Sequence, residues 1–265
     1  MRRIATRKDR IVVEYRALAR QPDPAGARLL LDGAHLIREA HDTSLRFESI
    51  VVAASRLESD NEERALAELL EQQGADVARA SDQVFAVISP VRTPTGIVAI
   101  AHRHPTTADA ILEQARLFAL VVVDVQDPGN VGSLMRVAEA GGVTGMIVAG
   151  ESANPFSWKA VRGSMGSVLR LPVARAASID AVMRDIRRTH TKAIAAVPRG
   201  GWDPDASDWA GRVALLLGGE GPGLSADVVA WADERVTIPM EPAVESLNVA
   251  ASAAIIIYAA RRARR

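Results

Sequence analysis

Leu117-Phe118-Ala119-Leu120-Val121-Val122-Val123 is followed by Asp124-Val125-Gln126-Asp127-Pro128-Gly129-Asn130 and then by Val131-Gly132-Ser133-Leu134-Met135-Arg136. The first seven residues are an unbroken apolar run rich in valine. That is the pattern of a parallel strand buried on both faces, where neither side alternates with water. The polar stretch after it reads as a loop, and Val131, Leu134, Val137 and Ala138 fall at helical spacing. Thr144–Ala149 reads as the next strand. Parallel neighbours need a crossover, so strand, loop, helix and strand in this order predict a parallel α/β sheet with helices on both faces.

The alternation continues towards the C-terminus. Strands are expected at Ala193–Val197, Val213–Leu217 and Arg235–Ile238, and helices at Phe156–Ser167, Ile179–Thr189, Ala226–Ala232 and Glu245–Arg261. A smaller α/β segment precedes them. Arg28–Leu31 reads as a short strand, Gly33–His41 as a helix and Phe47–Ala53 as a buried strand. Asn61–Gln73 reads as a helix with Leu66, Leu69 and Leu70 on one stripe and Gly74 as its stop. Asp76–Arg79 and Gly96–Ala101 complete a small sheet. Before it, Ile11, Val12, Tyr15 and Leu18 predict a basic amphipathic helix. His102-Arg103-His104-Pro105-Thr106-Thr107 breaks the periodicity, so the expected division is 1–104 and 105–265. His102 and His104 have no third ligand nearby in the chain. They read as exposed loop histidines, and no metal is expected.

The composition narrows the function classes. Of 265 residues 48% are hydrophobic and 24% charged, as in ordinary globular proteins. The absence of cysteine removes thiolate catalysis and cysteine-ligated zinc. It also fits a reducing compartment, and the cytoplasm is the expected location. Ala250–Ala260 is apolar but too short for a bilayer, so no membrane association is expected. The N-terminus is basic without an apolar core, unlike a secretory signal. Aromatics are only 4% of the chain, which speaks against stacking platforms for single strands. Net charge is zero, which speaks against RNA binding by bulk electrostatics. Basic residues nonetheless crowd the first twenty positions, and Arg261-Arg262-Ala263-Arg264-Arg265 closes the chain.

Ligands of open parallel sheets bind beyond the carboxyl ends of strands. Three polar clusters occupy such positions: Asp124–Asn130, Gly218–Gly223 and Met240–Asn248. Gly218-Gly219-Glu220-Gly221-Pro222-Gly223 lacks the G-x-G-x-x-G spacing of a dinucleotide site, and Pro222 removes an N–H from any phosphate cradle. The loop suits close backbone approach to a ligand instead, with Ser225 as N-cap of the next helix. Gly163-Ser164-Met165-Gly166-Ser167 is no nucleophile elbow, so a serine hydrolase is disfavoured. Ser246 and Asn248 stand at the entry to a long apolar helix. Capping accounts for one of them readily and for both less well. Arg136, in an otherwise apolar helix, must be exposed or paired, for example with Glu220.

In order and register, Asn130…Arg136, Gly218-Gly219-Glu220-Gly221, Ile238-Pro239-Met240 and Ser246-Leu247-Asn248-Val249 closely resemble the motifs of the SpoU/TrmH branch of the SPOUT methyltransferases. The likeness covers roughly residues 116–262. Gly33-Ala34-His35-Leu36-Ile37-Arg38-Glu39-Ala40 and the Ser89–Ala99 stretch are similar to the RNA-binding domain, itself like ribosomal protein L30e, that precedes the catalytic domain in many members.

The resemblance implies a trefoil knot in the C-terminal part, which periodicity cannot reveal. It implies S-adenosyl-L-methionine as cofactor, held by backbone at Gly218, Ile238 and Leu247, and a homodimer with the active site near the subunit interface. The implied reaction is methylation of a ribose 2′-hydroxyl in RNA, with ribosomal RNA favoured by the two-domain layout. The implied catalytic group is Arg136, assisted by Asn130, Glu220, Ser246 and Asn248. A guanidinium is a poor base, so orienting the 2′-oxygen and stabilising its developing charge is the more cautious role. Lys8, Arg28 and Arg38 are the expected RNA contacts. Many members carry a serine where this chain has Ala250, which bears on substrate positioning. The competing readings are an RNA-binding or assembly factor that has lost catalysis, and a nucleotide-binding oxidoreductase, which the broken glycine fingerprint disfavours.

Overall fold

The computed structural model describes residues 1–58 and 61–264; Arg265, the last of the terminal basic run, lies outside the described residues. The chain forms two compact units. One is Met1–His104 together with Phe156–Leu169, and the other is Pro105–Pro155 together with Arg170–Arg265.

The first unit holds a five-stranded mixed sheet of β1 (Arg2–Ile4), β2 (Arg28–Asp32), β3 (Arg46–Ala53), β4 (Val77–Ala80) and β5 (Ile97–His102) in the order β1-β4-β3-β5-β2. β5 runs antiparallel to β2 and β3, and the other pairs are parallel. β1 was not anticipated, because of its three residues only Ile4 is buried. Its two arginines suit an edge strand, where charge discourages further pairing. On one face, helices Arg10–Arg20 and Asp82–Ile88 bring Ile11, Val12, Tyr15, Leu18, Val84, Phe85 and Ile88 onto Leu30, Val51, Val98 and Ile100. The stripe read from sequence for the first helix is the buried one. Helices Ala34–Asp42 and Glu62–Gln72 meet β5 and β3. In the latter, Leu66, Ala67 and Leu70 are buried while Leu69 stays 42% exposed, so the stripe is narrower than the leucine pattern implied. The Tyr15 hydroxyl donates to the Ser49 carbonyl at 2.9 Å, and its burial pushes its pKa upward.

Two expectations fail in this unit. His102 is no loop residue: it ends β5 half-buried, its Nε2 3.0 Å from Glu48. Phe156–Ser167 is not one helix either. A helix at Trp158–Gly163 gives way to a turn with Met165 at φ 50 and Gly166 at φ 92, and a short helix follows at Ser167–Arg170. The segment is anchored by Phe156, over whose ring the Arg103 guanidinium stacks at 4.7 Å. Burial lowers the pKa of Arg103 to about 10. Gly26, at φ +69, leaves room for the ring, since a Cβ there would sit 2.5 Å from it.

The second unit holds a six-stranded sheet, parallel throughout, of β6 (Phe118–Val123), β7 (Gly145–Ala149), β8 (Val173–Ala176), β9 (Lys192–Ala196), β10 (Val213–Gly218) and β11 (Glu234–Val236), in the order β11-β9-β10-β6-β7-β8. Every residue of β6 is buried, as its composition predicts. Alternate residues face opposite sides. Ala119, Val121, Ile147 and Leu216 meet Ile111, Val182, Ile186 and Val228 from helices Ala108–Leu112, Ile179–Arg188 and Ala226–Trp231. On the other face Leu120, Val122, Met146 and Val148 are fully buried, and helices Pro128–Gly141 and Val249–Ala263 contact β7 and β10 there. These two helices also pack on each other, with Gly141 against Ile257. The last helix starts at Val249 rather than Glu245, because Asn248 caps it and residues 241–248 stay irregular and exposed. Among the described residues no helix is long and apolar enough to cross a membrane.

Candidate active site

β6 and β10 lie side by side, and the loops at their carboxyl ends interlock through glycine. Gly218 ends β10 with the Gly223 carbonyl carbon 2.2 Å from where a Cβ would be. At Gly219 the same position is 2.0 Å from the Asp124 carbonyl oxygen, just past β6. A short antiparallel bridge joins Gly219 to Gly223, so the loop doubles back on itself. Here glycine serves contact between protein backbones, whereas the sequence pattern suggests room for close approach of a ligand. Asp124 itself adopts φ 56, and its Oδ1 accepts the Glu151 N–H at 2.8 Å, which secures the turn after β6.

Three loops enclose a cavity of about 250 Å³: residues 196–198 after β9, 217–224 after β10, and the stretch from Val236 to Val249 after β11. Val236, Ile238, Leu247 and Ile256 give it apolar walls, and Glu220, Ser246 and Ser252 supply polar groups. Gly218, Ile238 and Leu247, separated in sequence, all line this one cavity. The mixed lining fits a ligand that is part apolar, part polar.

A chain of hydrogen bonds leads to the cavity wall. The Asn248 side-chain oxygen accepts the N–H groups of Ala250 and Ala251 at 2.9 and 3.4 Å, capping the last helix. Its Nδ2 donates to Asn130 Oδ1 at 3.1 Å, and Asn130 Nδ2 donates to Glu220 Oε1 at 2.5 Å. Both ends of the chain have fixed polarity. Helix-terminal N–H groups only donate and an ionised carboxylate only accepts, so each amide has one possible orientation. Asn130 is held by its own helix as well, whose N-cap Asp127 accepts its N–H at 2.9 Å. Ser246 lines the cavity but lies outside this chain.

Arg136 is exposed and has no ion pair among the described residues. The Glu220 pairing considered from sequence does not form; Glu220 accepts from Asn130 instead. Six residues beyond Asn130, Arg136 projects from a different side of the helix and does not line the cavity. In the first unit, Lys8 is exposed, while Arg28 and Arg38 sit 2.5 Å from Glu48 and Glu62. Partial burial alone would raise the pKa of Glu48, but Arg28 and then His102 outweigh it and hold the carboxylate below its usual range. The walls at Ala196–Pro198 and Ser252 were not singled out from sequence, and no periodicity marks them.

Residues 117–258 match the SpoU rRNA Methylase family, and residues 25–99 match the MRM3-like substrate binding domain. An uncharacterized tRNA/rRNA methyltransferase of Synechocystis sp. is 33% identical over 239 residues, 89% of this chain and 84% of that protein. The 23S rRNA (guanosine(2553)-2′-O)-methyltransferase RlmP of Bacillus subtilis is 27% identical over 260 residues, 97% of this chain and 98% of that protein. Among solved structures, the SpoU methyltransferase AviRb from Streptomyces viridochromogenes in complex with AdoMet superposes with a TM-score of 0.84 at 27% identity, covering 96% of this chain and 98% of that one.

Proposed function

The chain belongs to the SpoU rRNA methylase family, and on that footing we propose that it transfers a methyl group from S-adenosyl-L-methionine to a ribose 2′-hydroxyl of ribosomal RNA. The observation that carries this reading is the double position of Glu220. It belongs both to the wall of the cavity and to the chain of amides from Asn130 and Asn248. Backbone at Gly218, Ile238 and Leu247 holds the cofactor, which when bound supplies a methyl group activated by a cationic sulfur. The AdoMet complex of the Streptomyces relative supports the same cofactor here. Ser246, on the wall, faces the incoming ribose. The amide chain fixes Glu220 so that its remaining lone pairs can accept from the hydroxyl group to be methylated. Arg136 orients the 2′-oxygen and stabilises the negative charge that grows on it.

The position of Arg136 supports a homodimer. It is exposed and away from its own cavity, while Ile255 and Tyr258 on the neighbouring C-terminal helix are 44% and 43% exposed. Joining two copies through these helices covers the apolar side chains and delivers each Arg136 to the partner's cavity. Residues 1–104 serve as the RNA-docking part and 105–265 as the catalytic part, with the cavity loops threaded as a trefoil knot and the enzyme acting in the cytoplasm. Lys8 is the ready RNA contact. Arg28 and Arg38 reach phosphate by exchanging it for Glu48 and Glu62.

The test is calorimetric titration with S-adenosyl-L-methionine, paired with methyl transfer to ribosomal RNA, on wild type and Arg136→Ala. The expected result is equal binding by both and transfer by the wild type alone. Absence of binding by the wild type, with RNA present, would overturn the methyltransferase reading. Binding without transfer by either would leave an RNA-binding factor as the better account.

A further inference from the structure

Trp202 is the most exposed large apolar side chain among the described residues, at 67%. Its backbone, by contrast, is held tightly. Gly200 turns the chain at φ +78, and Gly201 then packs so closely on β11 that a Cβ would meet the Val236 and Arg235 carbonyl carbons at 2.7 and 2.8 Å. The Trp202 N–H donates to the Arg235 carbonyl at 2.8 Å, and its own carbonyl accepts from Thr237 N–H at 2.9 Å. Thr237 adds a clamp, accepting from Gly201 N–H at 2.9 Å and donating to the Val197 carbonyl at 3.0 Å. Residues 201 and 202 thus extend the sheet beyond β11, with Trp202 bridged to Val236. The chain buries indoles where they serve packing: Trp209, seven residues on, is 1% exposed and donates to the Pro204 carbonyl at 2.8 Å. An indole left in water on so firmly held a backbone contributes little to folding.

Its surroundings point to a ligand. Arg199, in the same loop, is exposed and has no carboxylate partner among the described residues. Several acids close in sequence are already engaged: Asp208 and Glu234 with Lys192 at 3.3 and 2.7 Å, and Asp205 with Arg262. Asp203 turns its Oδ1 to the Asp205 N–H at 2.8 Å. A free aromatic face with the unpartnered Arg199 three residues before it in the same loop matches what single-stranded nucleic acid requires, a surface for a base and a cation for phosphate. The place fits the reaction too. Residues 196–198 run directly into this loop and line the cavity, as do Val236 and Ile238 on the strand that pins it.

We propose that Trp202 is a stacking platform for a nucleobase of the substrate RNA, with Arg199 as its phosphate contact, and that it positions the strand so that the target ribose stays at the cavity. This rests on the RNA methyltransferase reading given above. Trp202 is a positioning residue; it takes no part in the chemistry.

The experiment compares the full-length wild type with Trp202→Ala and Trp202→Phe, using transcribed 23S rRNA as substrate. Cofactor affinity is followed by calorimetry and mass in solution by light scattering. Trp202→Ala should raise the KM for RNA by roughly tenfold or more, with a smaller change in kcat and unchanged cofactor affinity and mass. Trp202→Phe should recover most of the loss, because a smaller aromatic face still stacks. An unchanged KM in Trp202→Ala, beside an active wild type, would overturn the platform and leave the methyltransferase reading intact. A change in mass would assign Trp202 to contact with a second copy and likewise overturn it. No transfer by the wild type would take down both.

Discussion

Asn248 and Asn130, 118 positions apart, meet side chain to side chain at 3.1 Å, and the oxygen of Asn248 is at the same time the cap of the C-terminal helix. One amide thus couples the start of that helix to the orientation of the group next to Glu220. Asn248→Asp separates the two tasks. A carboxylate caps well, so stability should change by less than about 1 kcal/mol. It cannot donate to Asn130, however. If the Asn130 amide flips to serve it, the Asn130 oxygen is turned on Glu220. Methyl transfer should fall roughly tenfold or more with cofactor binding kept. Wild-type turnover by this variant would refute the coupling.

The glycine loop makes a graded prediction. Gly219→Ala puts a methyl group 2.0 Å from a backbone oxygen that cannot move aside without breaking the turn after β6. Cofactor binding should be lost. Gly221→Ala meets nothing within 4 Å and faces only the strain of φ +95, a cost of about 1–3 kcal/mol. Calorimetry on both variants checks the order. Equal affinities would show that the close approach at Gly219 is not what shapes the cavity.

Gly141 is where the two helices on one face of the parallel sheet touch. An alanine there gains up to about 1 kcal/mol of helix propensity. It also sets a Cβ 2.1 Å from Ile257 Cγ2, and such overpacking costs about 1–3 kcal/mol. We expect net destabilisation of Gly141→Ala in urea. The double variant with Ile257→Ala should be more stable than the sum of the single effects by more than about 0.5 kcal/mol. Simple additivity would mean that the helices separate rather than clash.

Asp32 ties pH to the stability of the first unit. Burial raises its carboxyl pKa, against the opposing pull of the Ser89 and Thr95 hydroxyls, each 3.0 Å away, and of the Arg162 charge. The folded value lies above the unfolded one, so the native state holds this proton more tightly. Its contribution is full below the ordinary carboxylate range near ~4 and is lost as pH rises through the folded value. Asp32→Asn should flatten that part of the stability profile, measured by urea unfolding from acid to neutral pH. A profile as steep as the wild type's would exclude Asp32 as its source.

What could be read from the chain alone depended on how local the cause was. The all-apolar β6 and the stripe of Ile11, Val12, Tyr15 and Leu18 carry their own signal. β8 is four residues of Val-Ala-Arg-Ala, too short and mixed to show a period. The placement of Phe156 depends on Gly26 and Arg103, both far away in sequence. Asn248 was legible as a cap, but its second bond needs Asn130 brought to it by folding. Gly218, Ile238 and Leu247 came from the family likeness, and nothing in their spacing would have joined them. The low aromatic content argued against stacking, yet composition counts indoles without showing which one is left in the open.

The pairing of Val213 with Phe118 at the centre of the parallel sheet has a consequence for how the protein is made. During synthesis β6 emerges early, and the neighbour it needs on that side is translated only after most of the second unit. Closing so long a loop is entropically slow, and high contact order of this kind delays folding while leaving an apolar strand open to aggregation. The cavity is built from the chain that arrives last. A ligand that recognises only the finished arrangement should leave the refolding rate unchanged and lengthen the lifetime of the native state.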